Sequence, residues 1–380
     1  MSISICKFRG SYYNVGLEIG QTFKYLISDF FEQYNWLHET FIPFYHSKFG
    51  KQIYDNYLST SKQIYPEYIQ EIQGYADGSK IPFHYFFLCI LRVEITIIIK
   101  ENLHDLLDCT DVFFVDKVNI LGHNEDMHAA IKDKAYVVDV EIIDESNCKI
   151  KEKFTAYCYP GHLPGNCMGF NNNIDPFIIT MNGLSAKHVG ILDSTPRGIL
   201  CRAVIGKCYD MKSLLSILYD FGRGTAVGFS INIGISGNNN ICHPSPNKFF
   251  NVEVAPSLTK FGKSQLNVLQ IDIIKKYYVH FNKYERLQVP EISEFLISSQ
   301  HREKVVQTFG SKLQANNIQD MLEILGDTSD NNYPIFRESG IEQSQSITLA
   351  TGIFDMDHKE WTLYDKNPKF NKPIFKIDIK

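Results

Sequence analysis

Apolar residues recur every three or four positions along the first hundred residues of the chain. Val15, Ile19, Phe23, Leu26, Ile27 and Phe30 share one face of a 3.6-residue turn, which predicts an amphipathic helix. Residues 52–75 and 83–104 repeat the pattern, and the stretch GYADGSKIP at 74–82 predicts a turn between them. The texture changes near residue 108. From Cys109 onward come short runs rich in Val, Ile, Phe and Tyr: TDVFFV (110–115), KVNILG (117–122), YVVDVEII (136–143), KFTAYCY (153–159) and FIITMN (177–182). Their composition and alternation predict strands. A helical segment over 198–219 follows, then strands at FSINIGIS (229–236) and FFNVEVAP (249–256), and helices over 291–325. TLATGIFDM (348–356) and WTLYD (361–365), joined by DHKE, predict a closing hairpin. Many strands with interspersed helices make the fold class α+β, with sheets packed on each other or on helix layers.

Composition narrows the function classes. With 380 residues, 44% hydrophobic and including 27 Phe and 21 Tyr, the chain can bury one large core or two ordinary ones. Disorder is excluded. A net charge of −5 argues against nucleic acid and against anionic membranes as partners. The greasiest run, 85–100, is interrupted by Arg92 and Glu94 and falls short of the roughly 20 apolar residues of a spanning helix. The first residues, MSISICKFRGSYY, lack the apolar stretch of a secretory signal. Nine cysteines with no CxxC pair fit a reducing compartment, so a cytoplasmic location is expected.

Most familiar motifs are missing. No GxxxxGK[ST] occurs, GRGTAVG (222–228) lacks the GxGxxG spacing, and GISG (234–237) is not a GxSxG elbow. HNEDMH (123–128) gathers two histidines and two acids, but its histidines are five apart and HExxH is absent, so no metal is expected. His46, His84, His162, His188 and His301 read as ordinary core or surface residues. No cofactor is expected.

Cys109 stands at the change of texture, in LLDCTDVFFVDKVNILGHNEDM (106–127). Position alone suggests only a buried thiol. The surrounding pattern says more: Cys-Thr, a strand, a short turn, a second strand, then Gly122, Asn124 and Asp126. This resembles the start of the mature catalytic subunit in the penicillin acyltransferase family of N-terminal nucleophile (Ntn) hydrolases. RGSYYNVGLEIG (9–20) and EIQGYADGSKIP (71–82) resemble the glycine-punctuated motifs of that family's pro-region. CYPGHLPG (158–165), NVEVAPS (251–257), HFNKYERL (280–287) and GIFDMDHKEWTLYDKNP (352–368) are similar to the branch that releases biogenic amines from β-alanyl conjugates.

The resemblance implies a four-layer αββα sandwich and a precursor that cuts itself before Cys109. A mainly helical segment 1–108 and a catalytic segment 109–380 would then stay associated. It further implies that Cys109 is the nucleophile and its own freed α-amine the base. Asp126 would steady that amine, and Asn282 would supply the oxyanion amide. Two departures stand out. Asp108 occupies the pre-cleavage position where relatives usually have glycine, and Gln345 stands where the family has an arginine before the late strand. Asp111 and Glu125 flank the nucleophile strands, and one of them is expected to receive the ammonium of a β-alanyl group. The implied activity is hydrolysis of small-molecule N-acyl amines such as β-alanyl-dopamine or β-alanyl-histamine. An acyl-CoA-dependent N-acyltransferase and a non-enzymatic binding module are the alternatives, and the intact Cys109, Asp126 and Asn282 speak against the last.

Overall fold

A computed structural model describes residues 3–100, 108–219, 223–237, 246–259, 262–272, 274–315, 317–340 and 345–379. Two sheets form its centre. The larger has eight strands in the order β1 (Ile5–Gly10), β4 (Tyr136–Ile143), β5 (Ile150–Cys158), β6 (Met168–Asn171), β7 (Phe177–Gly183), β8 (Phe229–Ile235), β9 (Lys248–Ala255), β10 (Gln265–Ile271). The smaller has six, in the order β11 (Tyr277–His280), β2 (Thr110–Val115), β3 (Asn119–His128), β12 (Ser346–Asp355), β13 (Glu360–Tyr364), β14 (Phe375–Asp378). Among these strands every pairing is antiparallel except β1 with β4. The predicted closing hairpin is the β12–β13 pair.

The sheets pack face to face. Phe113 of β2 meets Phe249 of β9 edge-on, and Phe170 of β6 meets Trp361 of β13. Helices cover both outer faces. Before β2 the chain forms α1 (Tyr12–Thr22), α2 (Lys24–Gln33), a π-helical turn (Leu37–Phe41), α3 (Ile42–His46), α4 (Lys48–Ile64), α5 (Pro66–Ser79), α6 (Phe83–Ile90) and α7 (Arg92–Ile99). Together with α8 (Arg197–Lys207) and α9 (Met211–Leu218) they share one hydrophobic core with the larger sheet. On the smaller sheet, α10 (Ser293–Thr308), α11 (Lys312–Ala315) and α12 (Ile318–Leu325) lie over Val112, Phe114, Ile120 and Ile353. The result is the αββα sandwich that the sequence resemblance implied.

One expectation needs correction. The sequence predicts a turn from residue 74, yet α5 runs on to Ser79 and the chain reverses only at Lys80, whose φ is 68°. The glycines serve helix contact instead. A Cβ on Gly74 or Gly78 of α5 would sit 2.2 Å from the carbonyl oxygen of Tyr13 or Leu17 of α1. Conversely, a Cβ on Gly16 or Gly20 would lie 2.2 or 2.6 Å from the oxygen of Glu71 or Tyr75. Ahead of the helices, the upstream segment also contributes β1, which joins the edge of the larger sheet beside β4. The end of the helix expected over 83–104 lies partly outside the described residues.

A buried ionic cluster ties the upstream segment to the rest. Arg202 of α8 donates to Glu71 of α5 (2.9 Å) and to Glu152 of β5 (2.8 Å). Tyr12 and Tyr68 each donate to the other Glu152 oxygen at 2.9 Å. Burial pushes the Glu71 carboxyl up to about 7 against the pull of Arg202. Such a group is costly to separate from its partner.

Candidate active site

Cys109 directly precedes β2, and the alternation of β2 and β3 sorts their side chains between two faces. Phe113, Leu121 and Met127 enter the layer between the sheets, while Val112, Phe114 and Ile120 face the outer helices. By the same period Asp111, His123 and Glu125 belong to the inner face, and Thr110, Asn124 and Asp126 to the outer. Gly122 leaves room for α12: a Cβ there would meet the Met321 sulfur at 2.6 Å. Asn124 is structural, donating to the carbonyls of Leu325 (2.8 Å) and Ile335 (3.0 Å) and accepting from Thr351 (2.7 Å).

The inner network reaches the thiol. Cys109 Sγ lies 3.6 Å from Glu125 Oε2, and Tyr159 donates to Glu125 Oε1 at 2.6 Å. His123 bridges two carboxylates, with Nε2 3.2 Å from Glu125 Oε2 and Nδ1 3.0 Å from Asp111 Oδ1. Thr180 of the opposite sheet donates to the same Asp111 oxygen. Burial alone would lower the His123 pKa, but Asp111 and Glu125 overcome it and push it up to about 10. Burial, then Glu125 and Asp126, hold the Cys109 thiol well above its ordinary range. The donor atoms of Cys109, His123 and Glu125 fall within 4.8 Å of one another, as a metal ligand set would. Both nitrogens of His123, however, are engaged by acids, whereas a ligating imidazole must free one as a lone pair.

The outer network holds the backbone. Arg302 of α10 donates through Nη1 to the carbonyl oxygens of Asp108 and Cys109 and to Thr110 Oγ1, and through Nη2 to Asn282 Oδ1 (2.8 Å). Burial lowers its pKa to about 10, with Asp108 opposing that shift, so it remains a cation at neutral pH. The Asp108 carboxylate accepts from Ser298 (2.7 Å) and from Arg337 (2.8 Å). Arg337 Nε also lies 3.7 Å from Asp126 Oδ2. Neither Asp126 oxygen has a well-aligned hydrogen bond, and burial pushes this carboxyl up to about 7 despite Arg337.

Two loops complete the site. Glu253 of β9 accepts from the backbone N–H groups of Glu285, Arg286 and Leu287. Burial would raise its pKa, but the contact with His280 and these N–H groups hold it down at about 2. NVEVAPS and HFNKYERL thus brace each other and set Asn282, whose amide donates to the Gly183 carbonyl at 3.0 Å. The loop after β5 turns at Gly161 and Gly165, with φ of 83° and 91°, values that glycine adopts without strain. It delivers Tyr159 and His162 to a small cavity beside Cys109, which Glu125, Asp126, Arg92 and Arg197 also line.

The structure therefore gathers Cys109, Glu125 and Asp126 around one cavity, with Asp108 and Asn282 joined to Cys109 through Arg302. Asp111 stands behind His123 and outside the cavity lining. Arg302, Arg337 and Tyr159 were missed in the sequence because a lone arginine or tyrosine carries no spacing signal. Gln345 is exposed, but an arginine reaches the same strand from the preceding loop. The Arg337 N–H donates to Thr348 Oγ1 (2.8 Å), and the Arg337 carbonyl accepts from the Thr348 N–H (2.9 Å).

The profile of a family described as "Acyl-coenzyme A:6-aminopenicillanic acid acyl-transferase" matches residues 115–369. The chain is 31% identical over 390 aligned residues to the Drosophila melanogaster beta-alanyl-dopamine/carcinine hydrolase, covering 100% of this chain and 96% of that protein. Among solved structures, a mutant of the conjugated bile acid hydrolase from Clostridium perfringens is similar at a TM-score of 0.39 and 11% identity, covering 71% of this chain and 92% of that one. That likeness is too slight to bear on fold or function.

Proposed function

Since the chain belongs to the acyl-coenzyme A:6-aminopenicillanic acid acyl-transferase family, we propose that it is a self-processing amide hydrolase acting on β-alanyl conjugates of biogenic amines. The observation that carries this reading is the position of Cys109: its thiol lies against Glu125 and a cavity, and its flanking carbonyls are held by a buried arginine.

Processing begins when Cys109 Sγ attacks the Asp108 carbonyl carbon. Arg302 donates to the oxygen on which charge develops, the function of an oxyanion donor. The thiol proton passes to the departing nitrogen, leaving a thioester. Water hydrolyses it to the Asp108 carboxylate and a Cys109 that carries both thiol and α-amine. That amine titrates near pH 7.7–8.0 in ordinary peptides, so it can take the thiol proton as general base. Asp126, buried without a well-aligned donor, is the carboxylate that steadies the new ammonium.

In turnover the thiolate attacks the substrate carbonyl, and the α-ammonium protonates the departing amine. Water then releases β-alanine. Asn282 contributes its side-chain amide to the oxyanion, and Glu125, the cavity carboxylate nearest the thiol, receives the β-alanyl ammonium. The segments 1–108 and 109–380 stay together through β1–β4 pairing and the Arg202 cluster. Among the described residues no helix is long and apolar enough to cross a membrane; we assign the enzyme to the cytoplasm on the free cysteines among the described residues.

Denaturing electrophoresis of the purified protein, with an assay for β-alanine released from β-alanyl-dopamine, tests this reading. The wild type should give two bands and Cys109→Ala one band without turnover. Full activity from an uncut chain would overturn it. Supplying an acyl thioester and free amine separates hydrolysis from acyl transfer: faster amide synthesis than cleavage would favour the transferase.

A further inference from the structure

The cavity beside Cys109 has a cationic side that hydrolysis of a β-alanyl amine does not use. Arg92, at the start of α7, and Arg197, at the start of α8, both line it and are 4% and 6% exposed. Three of their nitrogens are buried without a hydrogen-bond partner: Arg92 Nε and Nη1, and Arg197 Nη1. Unpaired guanidinium nitrogens out of contact with water are costly and call for an acceptor. The obvious internal candidate is Glu94. It accepts from the Arg197 backbone N–H at 2.9 Å, yet its other oxygen is itself without a partner. The Glu94 carboxylate therefore leaves these three nitrogens unpaired.

The charges are also ordered along the cavity. Glu125 accepts from Tyr159, the Tyr159 ring packs edge-on against His162 at 4.9 Å, and His162 lies in the field of both arginines. One end is therefore acidic and adjoins the thiol, and the other is basic. Burial and then Arg92 and Arg197 keep His162 neutral, so it adds no third cation to compete for an anion.

Resting on the β-alanyl hydrolase reading, we infer that Arg92 and Arg197 form a carboxylate-binding subsite, so that the preferred substrate is a β-alanyl conjugate of an amino acid, with Glu125 taking the ammonium and the arginine pair the carboxylate. A planar carboxylate matches the guanidinium fork. Arg92 comes from the upstream segment and Arg197 from the downstream one, so both proposed segments contribute to specificity.

The test compares two substrates that differ only in that group: β-alanyl-L-histidine and β-alanyl-histamine. In the wild type, kcat/KM for the carboxylate-bearing conjugate should exceed that of its decarboxylated twin by about tenfold or more. Arg92→Gln and Arg197→Gln should each collapse this ratio towards one, chiefly through KM, and the matching lysine variants should restore part of it. A wild-type ratio at or below one, with both conjugates cleaved, overturns the subsite while leaving the β-alanyl reading in place; it needs no variant to fold. If neither conjugate is cleaved, the β-alanyl reading fails, and the subsite is judged by alkylation of Cys109 followed by mass spectrometry. Anionic iodoacetate should then react faster relative to neutral iodoacetamide in the wild type than in Arg92→Gln. An equal rate ratio in the two proteins overturns the subsite.

Discussion

Arg302 Nη1 lies 2.5 Å from the carbonyl oxygen of Asp108 and 2.7 Å from that of Cys109. A single nitrogen thus grips the carbonyls on both sides of the bond proposed to break. The Asp108 side chain is itself secured by Ser298 and Arg337.

Arg302→Met should slow appearance of the two segments by about 10²–10³-fold, the usual effect of losing one oxyanion donor. Arg302→Lys should recover part of the rate by keeping a cation near the Asp108 oxygen. A time course on denaturing gels reads both. Processing of Arg302→Met at the wild-type rate would show that the grip is only structural.

Glu125→Gln has two separable effects. The KM for β-alanyl-dopamine should rise by about tenfold or more, since a charged hydrogen bond to the ammonium is lost. The pH profile of Cys109 alkylation by iodoacetamide should move to lower pH, because Glu125 is, after burial, the main influence holding the thiol up. An unchanged KM would reassign the ammonium; an unmoved profile would mean that burial alone governs the thiol.

Asp126 gives a pH dependence with a definite sign. Its carboxyl is raised from 3.8 to about 7 in the folded chain by burial, so between these values the native state binds more protons than the unfolded one. Stability should fall as pH rises through that window, with a slope approaching about 1.4 kcal/mol per pH unit, and level off above pH 7. Glu71, also raised to about 7 by burial, adds a similar fall. The measurable quantity is therefore the difference between Cys109→Ala, which should stay uncut, and Cys109→Ala/Asp126→Asn in urea titrations at several pH values. Parallel curves for the two proteins would contradict the raised carboxyl.

Gly78→Ala tests the helix contact that replaced the expected turn. Its methyl would fall 2.2 Å from the Leu17 oxygen, forcing α1 and α5 apart. Overpacking of this kind costs about 1–3 kcal/mol, visible as a lower urea midpoint. A midpoint equal to that of the wild type would mean that the helices separate freely.

The strands and the downstream helices were legible because their periods survive in the apolar residues. The upstream glycines misled because a residue chosen for close helix packing looks, in sequence, like one chosen for a turn. β1 was hidden because six residues at a sheet edge are too few to show a period. Cys109, Asp126 and Asn282 were proposed from motifs whose local reasons the fold supplies: space at Gly122, tethering at Asn124, and bracing of the 280–287 loop by Glu253. Arg302, Arg337 and the Arg92–Arg197 pair had no such signature. They converge from four separate elements, and only three-dimensional proximity joins them.

The parallel pairing of β1 with β4 bears on how such a protein could be produced. Synthesised alone, residues 109–380 would present β4 as a raw margin of unfilled amide positions, ready to template onto a neighbouring copy. One reading frame instead delivers both parts in equal number and already docked, so that the proposed cut would alter the chemistry at Cys109 without ever exposing that margin.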